Sequence, residues 1–336
     1  MKTNFFTGFL AIVAMSFLGG CTDKIEQEGP DLVDLFGDFN VLEPIEGNQN
    51  SVDFASGEAF YLKARFNKVT DWSIRIRGLE TGGLKLIEGR SRSLDESNTL
   101  WDGSTTRFPV FSEERVAIEV SVPEGELVWR DTIEVVTKKV NEGFLIADFE
   151  AGINSKWLRF AQSGANMSFR INDADTAAQG DFYYDMGGEV NWDWLIGMIE
   201  FPASAYDVPT FPLNSDPSKV YFNALVYLPK SITNALVLFQ FREDENGDGN
   251  FNTNNEDLYS IELTTDLSEG WNLVSLKYSD LVSLVNGQPA TPAGNGLHEP
   301  QKLWRVSTLF LANPASGYSQ IYLDYVIFTE NEPLKP

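Results

Sequence analysis

Hydrophobic and polar residues alternate with period two along most of this chain, and no long stretch repeats with a convincing helical period. In the first half, Ala59-Phe-Tyr-Leu-Lys-Ala-Arg-Phe66, Trp72-Ser-Ile-Arg-Ile-Arg77, Val116-Ala-Ile-Glu-Val-Ser-Val122 and Leu127-Val-Trp-Arg-Asp-Thr-Ile-Glu-Val-Val136 each read as half-buried strands. Short segments carrying Gly, Pro, Asn or Asp punctuate them. Lys138 to Gly143 forms a polar hinge. Beyond it the pattern predicts strands at 144–149, 167–171, 195–201, 220–228, 235–241, 257–263, 273–276, 306–311 and 321–328. The stretch from Glu330 to Pro336 reads as a disordered tail.

The expected fold class is therefore all-β. Residues 36–138, with about 100 residues of short alternating strands, predict an Ig-like β-sandwich. Residues 144–330, with a longer series of strands, predict a jelly-roll β-sandwich.

The start of the chain is different. Phe5 to Leu18 is largely apolar behind the basic Lys2, and it is too short and wrongly flanked to span a membrane, so 1–20 reads as a secretory signal. Leu18-Gly-Gly-Cys21 closes it with small residues before the chain's one cysteine. That tetrad resembles the lipobox of bacterial lipoproteins, in which the cysteine is acylated and becomes the mature N-terminus. The resemblance implies that Cys21 carries the lipid and that the bilayer is contacted only through this acylated N-terminus. Residues 21–35 are polar and acidic and read as a tether.

Composition narrows the function classes. With 43% hydrophobic and 13% aromatic residues the chain can bury real cores, so global disorder is excluded. A single cysteine rules out an intrachain disulfide framework. The balance of 25 basic against 49 acidic residues, a formal charge of −24, argues against nucleic acid, whose binding requires neutralised phosphates. It equally argues against a second, electrostatic contact with anionic lipid.

Two constellations carry candidate chemistry. In Asp244-Glu-Asn-Gly-Asp-Gly-Asn-Phe-Asn-Thr-Asn-Asn-Glu-Asp257, residues Asp244, Asn246, Asp248, Asn250 and Asn252 alternate as in a calcium loop, with Gly249 at the tight turn. Asn255 stands where a bidentate glutamate belongs, and Glu256 is the neighbouring carboxylate. Strand-like flanks make this a hairpin loop, and its expected role is a structural Ca2+ site. The other constellation is aromatic. Tyr183-Tyr184 and Trp192-Asp-Trp194 flank a Gly-Gly turn beside Asn191, and flat rings next to amides suit the faces and hydroxyls of a neutral glycan. Tyr206 and Arg242 are further candidates. The alternative for Trp192 and Trp194 is a place in the core. Trp157, Trp271 and Trp304 are expected in the core as well. His298, the only histidine, falls in a glycine-rich loop, and one histidine cannot build a multi-histidine zinc site. No nucleophile elbow is present, so no catalytic residue is expected and the protein reads as a non-enzyme.

Three segments carry a family resemblance. Leu145-Ile-Ala-Asp-Phe-Glu150, Gly270-Trp-Asn-Leu-Val-Ser-Leu276 with Ser279-Asp280-Leu281, and Ile321-Tyr-Leu-Asp-Tyr-Val-Ile-Phe328 resemble the opening strand, the "GW" turn and the closing strand of jelly-roll, galactose-binding-like carbohydrate-binding modules. By its architecture the N-terminal region resembles the Ig-like spacer of surface glycan-binding proteins in polysaccharide-utilising bacteria. The resemblance implies a non-catalytic lipoprotein of the outer membrane, on the cell surface, that holds neutral polysaccharide or oligosaccharide for a glycan uptake complex. It also implies structural calcium at Asp148, Glu150 and Asp324; a hydrogen bond or exposure would serve the strand carboxylates equally. A structural or protein-interaction lipoprotein and a divergent polysaccharide-active enzyme are the alternatives. Growth with labelled palmitate tests the anchor: the native chain carries label and partitions with membranes, whereas Cys21→Ala does neither.

Overall fold

Alternation from Leu62 to Gly78 yields one 17-residue strand whose positions swap between inside and outside at every step. The pattern suggests two strands there, with Asn67 and Asp71 between them. Lys68 and Thr70 are in fact buried on the core side, and Lys68 Nζ meets Glu124 at 2.8 Å. A partnered ammonium and a hydroxyl let the alternation run through.

The computed structural model describes residues 37–163, 166, 168–189, 195–232, 235–263, 267–285, 287–312 and 317–336. The expected signal, Cys21 and the tether lie outside the described residues, as do Asn191, Trp192 and Trp194. Asn40–Pro336 forms one compact unit. Its first part contains β1 (Val41–Gly47), β2 (Ser51–Asp53), β3 (Leu62–Gly78), β4 (Leu84–Leu94), β5 (Arg115–Val122) and β6 (Leu127–Thr137). These form one sheet in the order β1-β3-β5-β6-β2, with β4 also on β3. The first end of β3 pairs with β1 and its last third with β5, so the sheet curls along its longest strand. It buries Phe66, Trp72, Ile74, Ile118 and Ile133, and Phe54 and Phe111 each meet Trp101 edge-on at 4.8 Å. The Ig-like sandwich is thus built from a single curled sheet.

The second part runs through β7 (Phe144–Ala147), β8 (Leu158–Ala161), β9 (Ser168–Asn172), β10 (Tyr183–Glu189), β11 (Leu195–Pro202), β12 (Val220–Leu228), β13 (Ala235–Glu243), β14 (Leu258–Leu263), β15 (Gly270–Lys277), β16 (Leu284–Val285), β17 (Gln288–Pro289), β18 (Leu303–Ala312) and β19 (Tyr318–Glu330). Two sheets face each other: β15-β12-β19-β10-β9, with β7 on β19, and β14-β13-β18-β11-β8; β16 and β17 form a small ribbon. Every second residue of the facing strands enters one shared core, among them Tyr184, Phe222, Leu323, Ile199, Phe239, Phe241 and Phe310. Phe222 packs against Phe239 and Phe241 at 4.9 and 5.1 Å between centroids. This is the jelly-roll sandwich of an all-β chain.

Two expectations need correction. Met186-Gly-Gly-Glu189 is the second half of β10, with Gly187 paired to Gln320 and Ser168. A Cβ on Gly187 would come within 2.9 Å of the Tyr318 hydroxyl and 3.1 Å of the Ser319 carbonyl, so that glycine serves close packing of backbones. The C-terminal segment is also ordered. Leu334 is buried, its N–H donates to Asn223 Oδ1 at 3.1 Å, and the Pro336 carbonyl accepts Thr105 N–H at 2.6 Å. The last residues therefore touch both sandwiches. Leu334→Ala is expected to lower stability by about 3 kcal/mol, the usual cost of emptying a buried leucine site, measured as a reduced urea midpoint.

Candidate functional site

The strand register fixes what the β14-β13-β18-β11-β8 sheet presents on its outward side. Phe160, Met198, Leu309, Leu238 and Glu262 form one row across all five strands. Leu195, Leu311 and Leu236 form the row beside it. These side chains are half-buried or, for Phe160 and Glu262, exposed, and they stand apart from the residues that make the core. On the other side of the first row come Leu158, Glu200, Ser307, Gln240 and Ser260, then Pro202, Arg305, Arg242 and Leu258. The face thus carries an apolar strip alongside a hydrogen-bonding strip.

Glu200 organises the polar strip. It is 5% exposed, and its two oxygens take Arg242 Nη1 at 2.8 Å and Arg305 Nη1 at 3.1 Å. Ser307 Oγ adds a third donor at 2.8 Å, and Arg242 also donates to Ser307 Oγ and to Gln240 Oε1. Arg242 and Arg305 are direct cross-strand neighbours, so without the shared carboxylate two half-buried guanidiniums would repel. Arg305 Cζ lies 4.1 Å from the Trp304 ring centroid, and Arg242 Cζ lies 5.9 Å from that of Phe251. Trp304, Arg305, Leu158, Gln301 and Lys302 then line a cleft of about 790 Å³, closed on another side by the Asp244–Gly249 loop. Trp304, expected in the core, is half-exposed here because it occupies the start of β18 at the cleft wall.

The aromatic residues singled out from the sequence do not come together. Tyr183 and Tyr184 are adjacent on a strand and so point to opposite sides of their sheet, and both are fully buried. Tyr184 stacks on Phe149 at 5.6 Å inside the core, and burial pushes its hydroxyl up to about 12. Tyr183 lies on the outer side, clustered with Ala177 and Tyr322. Tyr206 packs edge-on against Phe144, and its hydroxyl donates to the Ile146 carbonyl at 2.6 Å. None of the three presents a ring face as a platform. Of that set, Arg242 alone among the described residues belongs to the outward face.

The opposite sheet carries an aromatic row of its own, Trp271, Tyr227 and Tyr322, followed by Asp185 and Arg170. Tyr227 and Tyr322 stack at 5.0 Å, and Tyr322 donates to Asp175 at 2.9 Å. Trp271, also expected in the core, sits half-exposed in this row and donates Nε1–H to the Thr176 carbonyl at 2.9 Å. The 172–182 segment covers part of this side. His298 is held rather than free: its ring stacks on Tyr259 at 4.2 Å, and Nε2 lies 2.8 Å from the Leu281 carbonyl.

In the 244–257 loop the alternating oxygens fold the backbone. Asp244 accepts Gly247, Asp248 and Gly249 N–H groups; Asn246 accepts Asp248; Asp248 accepts Asn250; Asn252 accepts Asn254. Glu256 accepts Asn252 N–H at 2.7 Å, while the Asn250 side chain donates to the Asp248 carbonyl. The acidic side chains that do converge, among the described residues, are Glu243, Glu245 and Asp257, a group able to hold a metal ion. Spacing alone hides this trio, because Glu243 precedes the 244–257 loop, Glu245 falls between its alternating positions and Asp257 is its last residue.

At the other end of the jelly roll, Asp324 is fully buried and accepts Ala178, Gln179 and Tyr325 N–H groups at 3.0, 2.9 and 2.7 Å. Burial pushes its carboxyl well above the usual range, against the pull of these donors. Glu150 accepts Asp181 and Phe182, and Asp148 accepts the Glu150 N–H. Each of these three carboxylates thus accepts at least one backbone N–H.

No protein-family model and no curated protein matches the chain. Among solved structures it resembles carbohydrate-binding modules and a surface glycan-binding protein. The family 11 carbohydrate-binding module from Clostridium thermocellum, in complex with a β-1,3-1,4-mixed-linked tetrasaccharide, matches 56% of this chain and 96% of its own at 13% identity and a TM-score of 0.37. SGBP-B from a complex xyloglucan utilization locus in Bacteroides uniformis matches 87% and 73% at 13% identity and 0.35. The CBM22-1 xylan-binding domain of Paenibacillus barcinonensis Xyn10C matches 57% and 98% at 13% identity and 0.30.

Glu200→Gln is expected to destabilise the fold by about 2 kcal/mol, because it leaves two half-buried guanidiniums without their counter-charge. Glu262→Gln, at the exposed edge of the same face, is expected to change stability by less than about 0.5 kcal/mol. Urea unfolding of the two variants checks the contrast.

Proposed function

We propose that this protein binds a neutral polysaccharide non-covalently along the outward side of β14-β13-β18-β11-β8 and into the Trp304 cleft. The pairing of strips on that face carries the reading. A sugar ring offers apolar C–H faces and a rim of hydroxyls, and this surface places Phe160, Met198, Leu309 and Leu238 next to Gln240, Arg242, Arg305 and Ser307. Trp192 and Trp194, with Asn191, shortly precede Leu195 in the chain and are assigned to the same site on their sequence position alone. Residues 36–138 act as a spacer and 144–330 as the binding module. Cys21 anchors both to the outer membrane, where the module retains glycan for an uptake or degradation system.

Binding without hydrolysis is favoured by the state of Glu200. Its two oxygens are engaged by Arg242, Arg305 and the Ser307 hydroxyl, so this carboxylate serves as an acceptor that holds protein side chains in place. Calcium is the expected cofactor, with a structural role.

Affinity electrophoresis through β-1,3-1,4-glucan, xyloglucan, xylan and starch tests the reading. One of these glycans is expected to retard the protein. Trp304→Ala and Phe160→Ala are each expected to weaken that retardation about tenfold, the loss of roughly one aromatic contact. Trp271→Ala, on the opposite sheet, is expected to leave it unchanged. Unretarded migration through the whole panel would sink glycan binding and favour a protein-interaction role.

A further inference from the structure

We propose that Glu243, Glu245 and Asp257 hold a hard divalent cation, Ca2+ by preference, that ties the β13–β14 hairpin to the segment 293–299. One carboxylate oxygen from each residue lies within 4.8 Å of the other two. Glu243 and Asp257 are both fully buried, and Glu245 is half-buried. A second, independent feature is an unused acceptor: Glu243 Oε2 is buried and has no hydrogen-bond partner. Leaving a carboxylate oxygen dry and unpaired is costly, and a cation at this point removes the cost.

The surroundings preorganise the three donors. Asp257 accepts Gly294 N–H at 2.6 Å and Gly296 N–H at 2.7 Å, and Glu245 accepts Asn295 N–H at 3.1 Å and Asp257 N–H at 3.0 Å. Glu243 Oε1 accepts Glu299 N–H at 2.8 Å and the Tyr278 hydroxyl at 2.7 Å. Glu243 Oε1 is filled by its two donors, which leaves the unpartnered Oε2 for a metal, while Asp257 Oδ1 and Glu245 Oε2 each accept a single N–H and retain a lone pair. Position 294 must be glycine for this to form, since a Cβ there would stand 1.9 Å from Glu245 Oε1. Local cations are otherwise occupied: Lys302 Nζ binds Glu299 at 2.8 Å.

The donor chemistry selects the ion. All three ligands are carboxylates, and the nearby His298 Nε2 is engaged with the Leu281 carbonyl, so a hard oxygen-seeking ion fits better than zinc. Calcium accepts irregular sets of mono- and bidentate carboxylates, while Mg2+ demands a near-ideal octahedron. The site differs from the alternating Asp244–Asn252 set, whose oxygens cap the loop backbone, and it stands whether or not the protein binds glycan.

The test uses the full chain in detergent at neutral pH with terbium as the probe. Tyr259 and Tyr278 hydroxyls touch Asp257 and Glu243 at 3.2 and 2.7 Å, so bound terbium will be sensitised by tyrosine excitation. The expected result is a saturable signal displaced by Ca2+, weakened at least tenfold in Glu245→Gln, and unchanged in Asp248→Ala/Asn250→Ala. Circular dichroism confirms that each variant is folded, and calorimetry of the native chain with Ca2+ gives a measure that needs no variant. Absence of a saturable signal and of binding heat in the native chain overturns the proposal. So does a titration that survives Glu245→Gln or that fails in the loop variant.

Discussion

The interaction on which much of this structure depends is the carboxylate that accepts backbone N–H groups from a loop. The chain has nearly twice as many acidic as basic residues, so most buried carboxylates must be stabilised without a cationic side chain. Glu114 binds the amides of Glu80, Thr81 and Ser112; Glu150 and Asp324 gather 178–182; Asp244, Glu256 and Asp257 shape the long hairpin and its neighbour. Hydrogen bonds to charged acceptors are worth about 1.5–3 kcal/mol each when buried. Beta-sandwiches end every strand in a loop with unpaired amides, and acidic residues at strand ends meet that need. The negative charge is therefore partly architectural.

Exceptions to this rule mark the places with a different job. Glu200 gathers two arginines and a serine, all side chains, on a sheet surface. Glu243 leaves one oxygen without any donor. Glu243 ends β13 and Glu200 lies on β11, two strands away in the same sheet, near the cleft lined by Trp304 and the Asp244–Gly249 loop. The opposite sheet differs: its outer aromatic row is stacked, hydrogen-bonded and partly covered by 172–182. The two sheets of one sandwich thus have unlike exteriors.

Period-two alternation made most strands legible, and Val220–Leu228 appears with the expected limits. It failed where side chains broke the pattern without breaking the strand. Gly187 and Gly188 disguised β10 as a turn, and the exposed run Leu158–Ala161 gave β8 no alternation to detect. Site residues were harder to foresee for a reason of geometry. Arg242 was visible as a candidate, but Glu200 and Arg305 join it only through cross-strand register, across 42 and 63 positions of chain. The converging acids sit at the two ends of the loop, out of step with the alternating positions that look more like ligands. Tyr183 and Tyr184 misled because neighbouring tyrosines on one strand cannot share a face.

The row from Phe160 to Glu262 crosses five adjacent strands. With strands spaced about 4.8 Å apart, it extends for roughly 20 Å. A single sugar unit would occupy only a fraction of that length. If glycan is the ligand proposed above, such a surface is a ruler for stretches of polymer, indifferent to where the chain begins or ends and able to engage the middle of a long molecule without waiting for a free tip.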